Sequence, residues 1–261
     1  MPSPAKQSKA LITGASGGIG AALANVLSPR YDHVFLVGRK RDRLEQIVKQ
    51  SRGAQATLLV GDLANAEFLK EIVTTVNPSG GLDLLVNNAG VGLFGAFENH
   101  SDEEIRSVIE SNLLAPMLLT KALLPALKIK KSQIINVGSA FGSIGYPGFS
   151  AYSASKFGLY GWTQALSREL SNTSVRVRLF SPRATLTDMN NENVRQLNAA
   201  LKVAQDTPKF VAEEFLEFLG SLKETYQVGL PERFFAWLNA TAPGVVGQSL
   251  TKKLTQIRQY F

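Results

Sequence analysis

The 261-residue chain predicts an α/β protein. It reads as a single domain built on a doubly wound parallel sheet of about seven strands with helices on both faces. Two observations carry that prediction. The strand candidates are short, continuous apolar runs rather than alternating ones, as expected of strands covered on both sides. They alternate with helical patterns along most of the chain, which calls for crossover connections in a parallel sheet. No Pro/Gly/Ser-rich linker and no internal repeat divides the sequence.

Taken in order, Lys9–Thr13 is a short buried strand that runs into Gly14-Ala15-Ser16-Gly17-Gly18-Ile19-Gly20 and an apolar helix over Ala21–Leu27. Strands follow at His33–Val37, Ala56–Val60, Leu82–Val86, Ser132–Val137 and Val175–Phe180. Between them lie helices over Asp42–Ser51, Ala66–Val76 and Ala151–Leu170. Ser101 and Glu104 form a capping box for a helix reaching Asn112, with a break at Pro116 before it ends near Leu127. Residues 183–206 read as a mobile, partly helical insertion that carries a substrate loop. Thr207-Pro208 starts another helix, since proline suits the first helical position. A last strand over Thr225–Val228 and helices over Pro231–Ala240 and Gly247–Tyr260 complete a C-terminal helical extension, about 231–261.

Composition excludes several chemistries. There are no cysteines and only two histidines, His33 and His100, so disulfides, thiolate catalysis and a His-rich metal site are not expected. The N-terminus lacks the apolar core of a signal peptide, and no uninterrupted apolar run reaches the length of a membrane span. The expectation is a soluble cytoplasmic protein. The net charge of +7 describes either a solvated basic surface or a preference for anionic ligands such as phosphates. No helix-turn-helix, zinc or aromatic RNA-binding signature is present, so nucleic acid is not an expected partner.

The glycine cluster follows a strand and opens a helix. Glycines permit a tight turn and a close backbone approach, and a helix N-terminus offers amide donors and a positive dipole end to a pyrophosphate. The second strand ends in Gly38-Arg39-Lys40-Arg41, with no carboxylate before Asp42. An acid there would bind the ribose hydroxyls of NAD. Arg39 instead favours a 2′-phosphate and therefore NADP. Tyr152 and Lys156 stand four positions apart and share one face of a helix. An ammonium held there would favour the phenolate and lower the pKa of Tyr152.

These motifs resemble the short-chain dehydrogenase/reductase family of roughly 250 residues, whose domain is Rossmann-like. The glycine turn, Asp62-Leu63, Asn87-Asn88-Ala89-Gly90, Ser139 and Tyr152-x-x-x-Lys156 all fall in family order and cover residues 9–188. The resemblance implies a catalytic tetrad of Asn112, Ser139, Tyr152 and Lys156. Tyr152 would be the general acid/base, Ser139 would hold the substrate oxygen, and Asn112 would hold a proton-relaying water. The implied cofactor set is Gly14, Ser16, Gly17, Gly18, Ile19, Gly20, Arg39, Asp62, Leu63, Asn88, Ala89, Gly90, Tyr152, Lys156, Pro182, Thr185 and Thr187, without a metal. The implied activity is an NADP(H)-dependent oxidoreductase acting on a carbonyl or secondary alcohol. A non-catalytic NADP-binding sensor or scaffold is the alternative, and a sugar epimerase fits the glycine spacing and short substrate region poorly.

The family usually has glycine after the proline of the sixth strand, where this chain has Arg183. Arg183 reads as a surface side chain, or as a contact to cofactor phosphates or an acidic substrate. Leu93, Phe94, Phe97, Phe141, Ile144, Tyr146 and Phe149 predict an apolar substrate pocket. The resemblance suggests a homodimer or homotetramer built on the helices at 101–127 and 151–170, with Leu159, Tyr160 and Trp162 in contact. Phe234, Phe235, Trp237 and Leu238, followed by Lys252, Lys253 and Arg258, read first as helices packed on the domain or a second subunit. Peripheral membrane contact is the other reading.

Overall fold

The structure, a computed structural model, describes residues 7–50 and 55–261. The N-terminal residues read for a targeting signal lie largely outside this range, as does Ser51 at the end of the second expected helix. Seven parallel strands form one sheet: β1 (Lys9–Thr13), β2 (His33–Gly38), β3 (Gln55–Val60), β4 (Leu84–Asn87), β5 (Ser132–Val137), β6 (Val175–Ser181) and β7 (Thr225–Gln227). Their order is β3-β2-β1-β4-β5-β6-β7. The direction of winding reverses between β1 and β4, and a crevice opens at the carboxyl ends of strands flanking such a switch point.

Neighbouring residues of each central strand enter opposite cores, which is why these strands are apolar throughout. Ala10, Ile12, Val34 and Leu36 join one cluster with α1 (Gly18–Leu27), α2 (Arg41–Gln50) and α8 (Pro208–Gly220). Leu11, Phe35, Val37 and Leu85 join the other with α3 (Ala66–Val76) and α5 (Ala115–Leu127). Each large side chain fully covered this way contributes about 1.5–3 kcal/mol. α4 (Asp102–Ile109) carries the expected capping box, and Thr207 caps α8 ahead of Pro208. α6 (Ser150–Glu169) is the long helix bearing Tyr152 and Lys156.

Two expectations change, and the partly helical reading of 183–206 takes a definite form. The break near Pro116 is a π turn at Glu110–Leu114, closed by the Ala115 amide donating to the Glu110 carbonyl; the proline sits harmlessly in the first turn of α5. The insertion at 183–206 contains a regular helix, α7 (Glu192–Ala200), capped by Asn191. Leu159 is only 1% exposed and belongs to the core, not to a contact surface. The exposed apolar side chains on those helices are Leu114, Leu118 and Phe157.

Asp102–Leu127 taken as one helix is long and apolar enough to span a membrane by length and composition. Leu119, Leu123, Ala126 and Leu127 are nevertheless fully covered in the second core cluster, as in a core helix. α9 (Leu230–Thr241) and α10 (Pro243–Arg258) end the chain.

One buried charge was not anticipated. Arg178 on β6 is wholly inaccessible. Its guanidinium donates to the carbonyls of Phe218, Leu219, Ser221 and Lys223 and to Gln133 Oε1, and it stacks on the Phe218 ring. It thereby satisfies the open carbonyls at the C-terminus of α8. Burial pulls its pKa down to about 10.

Candidate functional site

A single crevice of about 1170 Å³ runs along the carboxyl ends of the strands. Every expected cofactor residue lines it, together with Ser139, Tyr152 and Lys156. Asn112 lies just behind its wall.

The glycine turn is shaped by close approach. Gly14 and Gly18 adopt left-handed φ angles of 67° and 52°. A Cβ on Gly20 would stand 2.1 Å from the Gly14 carbonyl oxygen, and one on Gly14 would stand 2.9 Å from the Ala89 backbone. Gly17 differs, because a Cβ there would meet nothing within 4 Å. It is the N-cap of α1 and provides no side-chain cap, so the first amides of the helix are left to a ligand. Ser16 packs against Gly38, and Thr187 stands over Gly18. Arg39, Lys40 and Arg43 line the far end of the crevice, with Asp62 and Leu63 nearby, and these three cations form no ion pair among the described residues. This donor set and charge fit a nicotinamide dinucleotide, including one with a 2′-phosphate.

The floor is fixed by buried polar pairs. Thr13 Oγ1 accepts hydrogen bonds from the Asn88 and Ala89 amides, at 2.9 and 3.0 Å, and Asn88 Nδ2 donates to the Thr13 carbonyl. Asn87 Nδ2 donates to Thr120 Oγ1 and Asn136 Oδ1, and Asn136 Nδ2 donates to Thr163 Oγ1. These bonds tie β4, β5, α5 and α6 together beneath the crevice.

The π turn aims Asn112 inward. Asn112 Oδ1 accepts from the Val91 amide at 2.8 Å; Nδ2 donates to the Val91 carbonyl at 2.9 Å and to Ser155 Oγ at 3.1 Å. Its side chain therefore clamps the chain beside Gly90. A Cβ on Gly90 would lie 2.8 Å from Asn112 Oδ1 and 3.8 Å from Lys156 Nζ.

Lys156 is buried, and its ammonium donates to the Val137 carbonyl at 3.0 Å. It sits 5.9 Å from the centre of the Tyr152 ring. Burial lowers its pKa to about 8. Burial also raises the phenol of Tyr152, opposed by a hydrogen bond with Ser139. The expected lowering of Tyr152 by Lys156 is thus overturned: removal of the phenolate from water raises the phenol, and only Ser139 opposes it. A phenol held in its protonated form beside a serine hydroxyl can donate a proton to an oxygen placed between them.

The adjoining wall is aromatic. Phe141 stacks on Tyr146, Phe149 packs on Phe94 and Phe141, and both Phe141 and Phe149 reach the edge or face of Tyr152. Phe261, the last residue, meets Phe94 edge-on at 5.7 Å. Phe97 is 56% exposed and does not line the crevice, contrary to the pocket expected from sequence.

Sequence reasoning anticipated a substrate loop at 183–206 but did not name the residues of the cover. Met189, Val194, Leu197, Phe235, Leu238, Val246 and Leu250 line the crevice from α7, α9, α10 and the preceding loop. Their apolar helical spacing was visible, but nothing local says what it faces. Arg183 is half-buried and lines the crevice rather than standing free on the surface. Its guanidinium donates two hydrogen bonds to the Asp206 carboxylate, at 2.8 and 2.7 Å, and lies 3.8 Å from Glu232 on α9. Asp206 holds the guanidinium pKa above its usual value. Thr185 turns its hydroxyl to the Arg183 carbonyl and bridges to Asp206 through the backbone.

Comparison with known proteins places the chain in a family. A nodulation protein G from Rhizobium sp. (strain N33) is 32% identical over 227 residues, covering 85% of this chain and 92% of that protein. A 3-oxoacyl-acyl-carrier-protein reductase FabG from Rickettsia conorii is 34% identical over 190 residues, covering 71% and 77%. A short-chain dehydrogenase from Sphingobium yanoikuyae, solved in complex with NADPH, superimposes with a TM-score of 0.79 at 26% identity, covering 92% of this chain and 95% of that one. The model of the short chain dehydrogenase family matches residues 8–198, and the chain belongs to that family.

Proposed function

We propose that the protein is an NADP(H)-dependent oxidoreductase that interconverts an apolar ketone and a secondary alcohol, with Tyr152 as general acid/base. The observation that carries this reading is the convergence of Tyr152, Ser139 and the buried Lys156 in the same crevice as the open Gly17 turn. The reductase names of relatives such as FabG, and the NADPH held by the Sphingobium yanoikuyae enzyme, support it.

A nicotinamide dinucleotide bound there would supply hydride to a carbonyl carbon or accept it from an alcohol carbon. The amides at the start of α1 would hold its pyrophosphate, and Arg39 and Lys40 would select a 2′-phosphate. In reduction, Tyr152 Oη gives its proton to the carbonyl oxygen as charge develops on it. Ser139 Oγ donates a hydrogen bond to the same oxygen and stabilises that charge. Lys156 places a cation beneath the phenol, and Asn112 fixes the Val91 backbone that borders it. Burial holds Tyr152 protonated at neutral pH, ready to act as the acid in reduction, while alcohol oxidation needs the phenolate and should speed up as pH rises. Phe94, Phe141, Tyr146 and Phe149 exclude water and hold an apolar substituent. Residues 183–206 and the C-terminal helices form the substrate end, and pairing through the 101–127 and 151–170 helices builds a homodimer or homotetramer.

The test is NADPH consumption across a carbonyl library. Apolar ketones should be turned over, and Tyr152→Phe should lower kcat by at least ~10²-fold with NADPH affinity retained. Turnover retained in Tyr152→Phe would refute the role of Tyr152. Binding of NADPH without turnover of any carbonyl compound would favour the sensor reading.

A further inference from the structure

We infer that the outer face of α9, with the basic flank of α10, is a docking surface for an anionic phospholipid bilayer. Leu230, Phe234 and Trp237 are spaced four and three residues apart, so they share one stripe of the helix. They are 76%, 55% and 60% exposed, and the Phe234 and Trp237 rings lie 5.9 Å apart. α9 has no fully buried residue. A helix of this composition is costly to leave in water, and phenylalanine and tryptophan suit the headgroup boundary, where one side is apolar and the other wet.

Charge selects the occupant. Residues 221–261 carry five Lys/Arg and two Glu, a net of +3. Both carboxylates are engaged, Glu224 with Arg176 and Glu232 facing Arg183. Lys252 and Arg258 on α10 are exposed and form no ion pair among the described residues. A second copy of this chain is a poorer occupant. One stripe of three large side chains falls far short of the roughly 20–30 residues per side in a stable protein interface, and a copy would bring the same positive charge. An anionic bilayer answers both the apolar stripe and the charge, with each basic residue near the surface adding to the attraction.

The placement also has a consequence for access. The neighbouring face of α9, bearing Phe235 and Leu238, lines the crevice. One helix thus separates the crevice from the docking surface, so an apolar substrate dissolved in the bilayer would meet the protein at its substrate end.

The test is cosedimentation of the full chain with vesicles of phosphatidylcholine containing phosphatidylglycerol, against phosphatidylcholine alone. Wild type should bind the anionic vesicles, and with Trp162→Phe leaving only Trp237, vesicles should shift its emission to the blue. Phe234→Ser/Trp237→Ser should abolish cosedimentation while far-ultraviolet circular dichroism and NADPH binding stay unchanged. Lys252→Glu/Arg258→Glu should weaken binding to anionic vesicles about tenfold or more and leave the phosphatidylcholine result unchanged. Failure of the wild type to sediment with anionic vesicles would overturn the inference. So would a change of oligomeric state in Phe234→Ser/Trp237→Ser, which would assign the stripe to a second copy. None of these readouts needs turnover, so they stand or fall apart from the proposed activity.

Discussion

The floor and the roof of the crevice are held by different forces. Beneath it, Thr13, Asn87, Asn112, Asn136 and Lys156 are almost wholly inaccessible, and each is tied by short hydrogen bonds to another strand or helix. Above it, α9 buries nothing fully. It is fastened at a few points: Glu232 beside Arg183, Arg233 Nε donating to the Gln227 carbonyl, and Asn239 Nδ2 donating to the Ser143 carbonyl. Buried polar pairs in a low-dielectric interior leave few alternative arrangements, whereas isolated surface contacts are weak and separable. The difference teaches that reacting groups can be held rigidly while the substrate end varies.

The sharpest test of the rigid floor is Asn112→Ala. It strips partners from the half-buried Val91 amide and carbonyl and from the buried Ser155 hydroxyl, and should cost about 2 kcal/mol in urea denaturation, within the range for groups left unpaired. A loss below ~0.5 kcal/mol would show that the floor is not held as described. Arg39→Asp comes next. Removing a charged donor to phosphate and adding a repelling carboxylate should raise the NADPH dissociation constant by about 10–100-fold and that of NADH far less. Equal losses would mean that Arg39 does not read the 2′-phosphate.

The roof should respond more gently. Arg183→Gly restores the residue usual in the family and leaves Asp206 without its bidentate partner. A stability loss of about 1 kcal/mol is expected, with substrate KM rising more than NADPH KM. A larger effect on NADPH would move Arg183 to the cofactor end. A last test is a pH dependence. Lys156 has a folded pKa of about 8 against an ordinary 10.5, so between those values the unfolded chain binds more protons than the folded one. Its contribution to stability is full above 10.5 and is lost as pH falls through 8. The stability of Lys156→Met relative to wild type should therefore be greatest below pH 8 and should shrink towards pH 10.5, measured as the difference in urea midpoint. A pH-independent difference would contradict the buried ammonium.

What was legible in the sequence was whatever local spacing dictates. The strand, glycine turn and helix at 9–27, the capping box at Ser101 and the shared face of Tyr152 and Lys156 follow from chemistry within a few residues. What escaped depended on distant partners. Arg183 meets Asp206 and Glu232 only after α7 and α8 have been laid down, and Arg178 finds its carbonyls at the end of another helix. Leu159 and Trp162 were not separable until the rotation of α6 against the sheet was known. The aromatic stripe of α9 was visible as composition, but its exposure was not. Pro116 drew attention as a helix breaker, although the irregularity beside it belongs to the preceding turn.

That π turn has a consequence for how the gene can change. It accommodates one residue more than the regular ladder, in a helix that would otherwise run unbroken from Asp102 to Leu127. Deleting one codon within 110–114 would let the hydrogen-bond ladder heal, and by helix content alone the change would pass as harmless. Because the wide turn absorbs the extra residue, α4 and α5 would keep their places on either side. The loss would fall on Asn112, whose grip on the Val91 backbone depends on the widened turn that carries it.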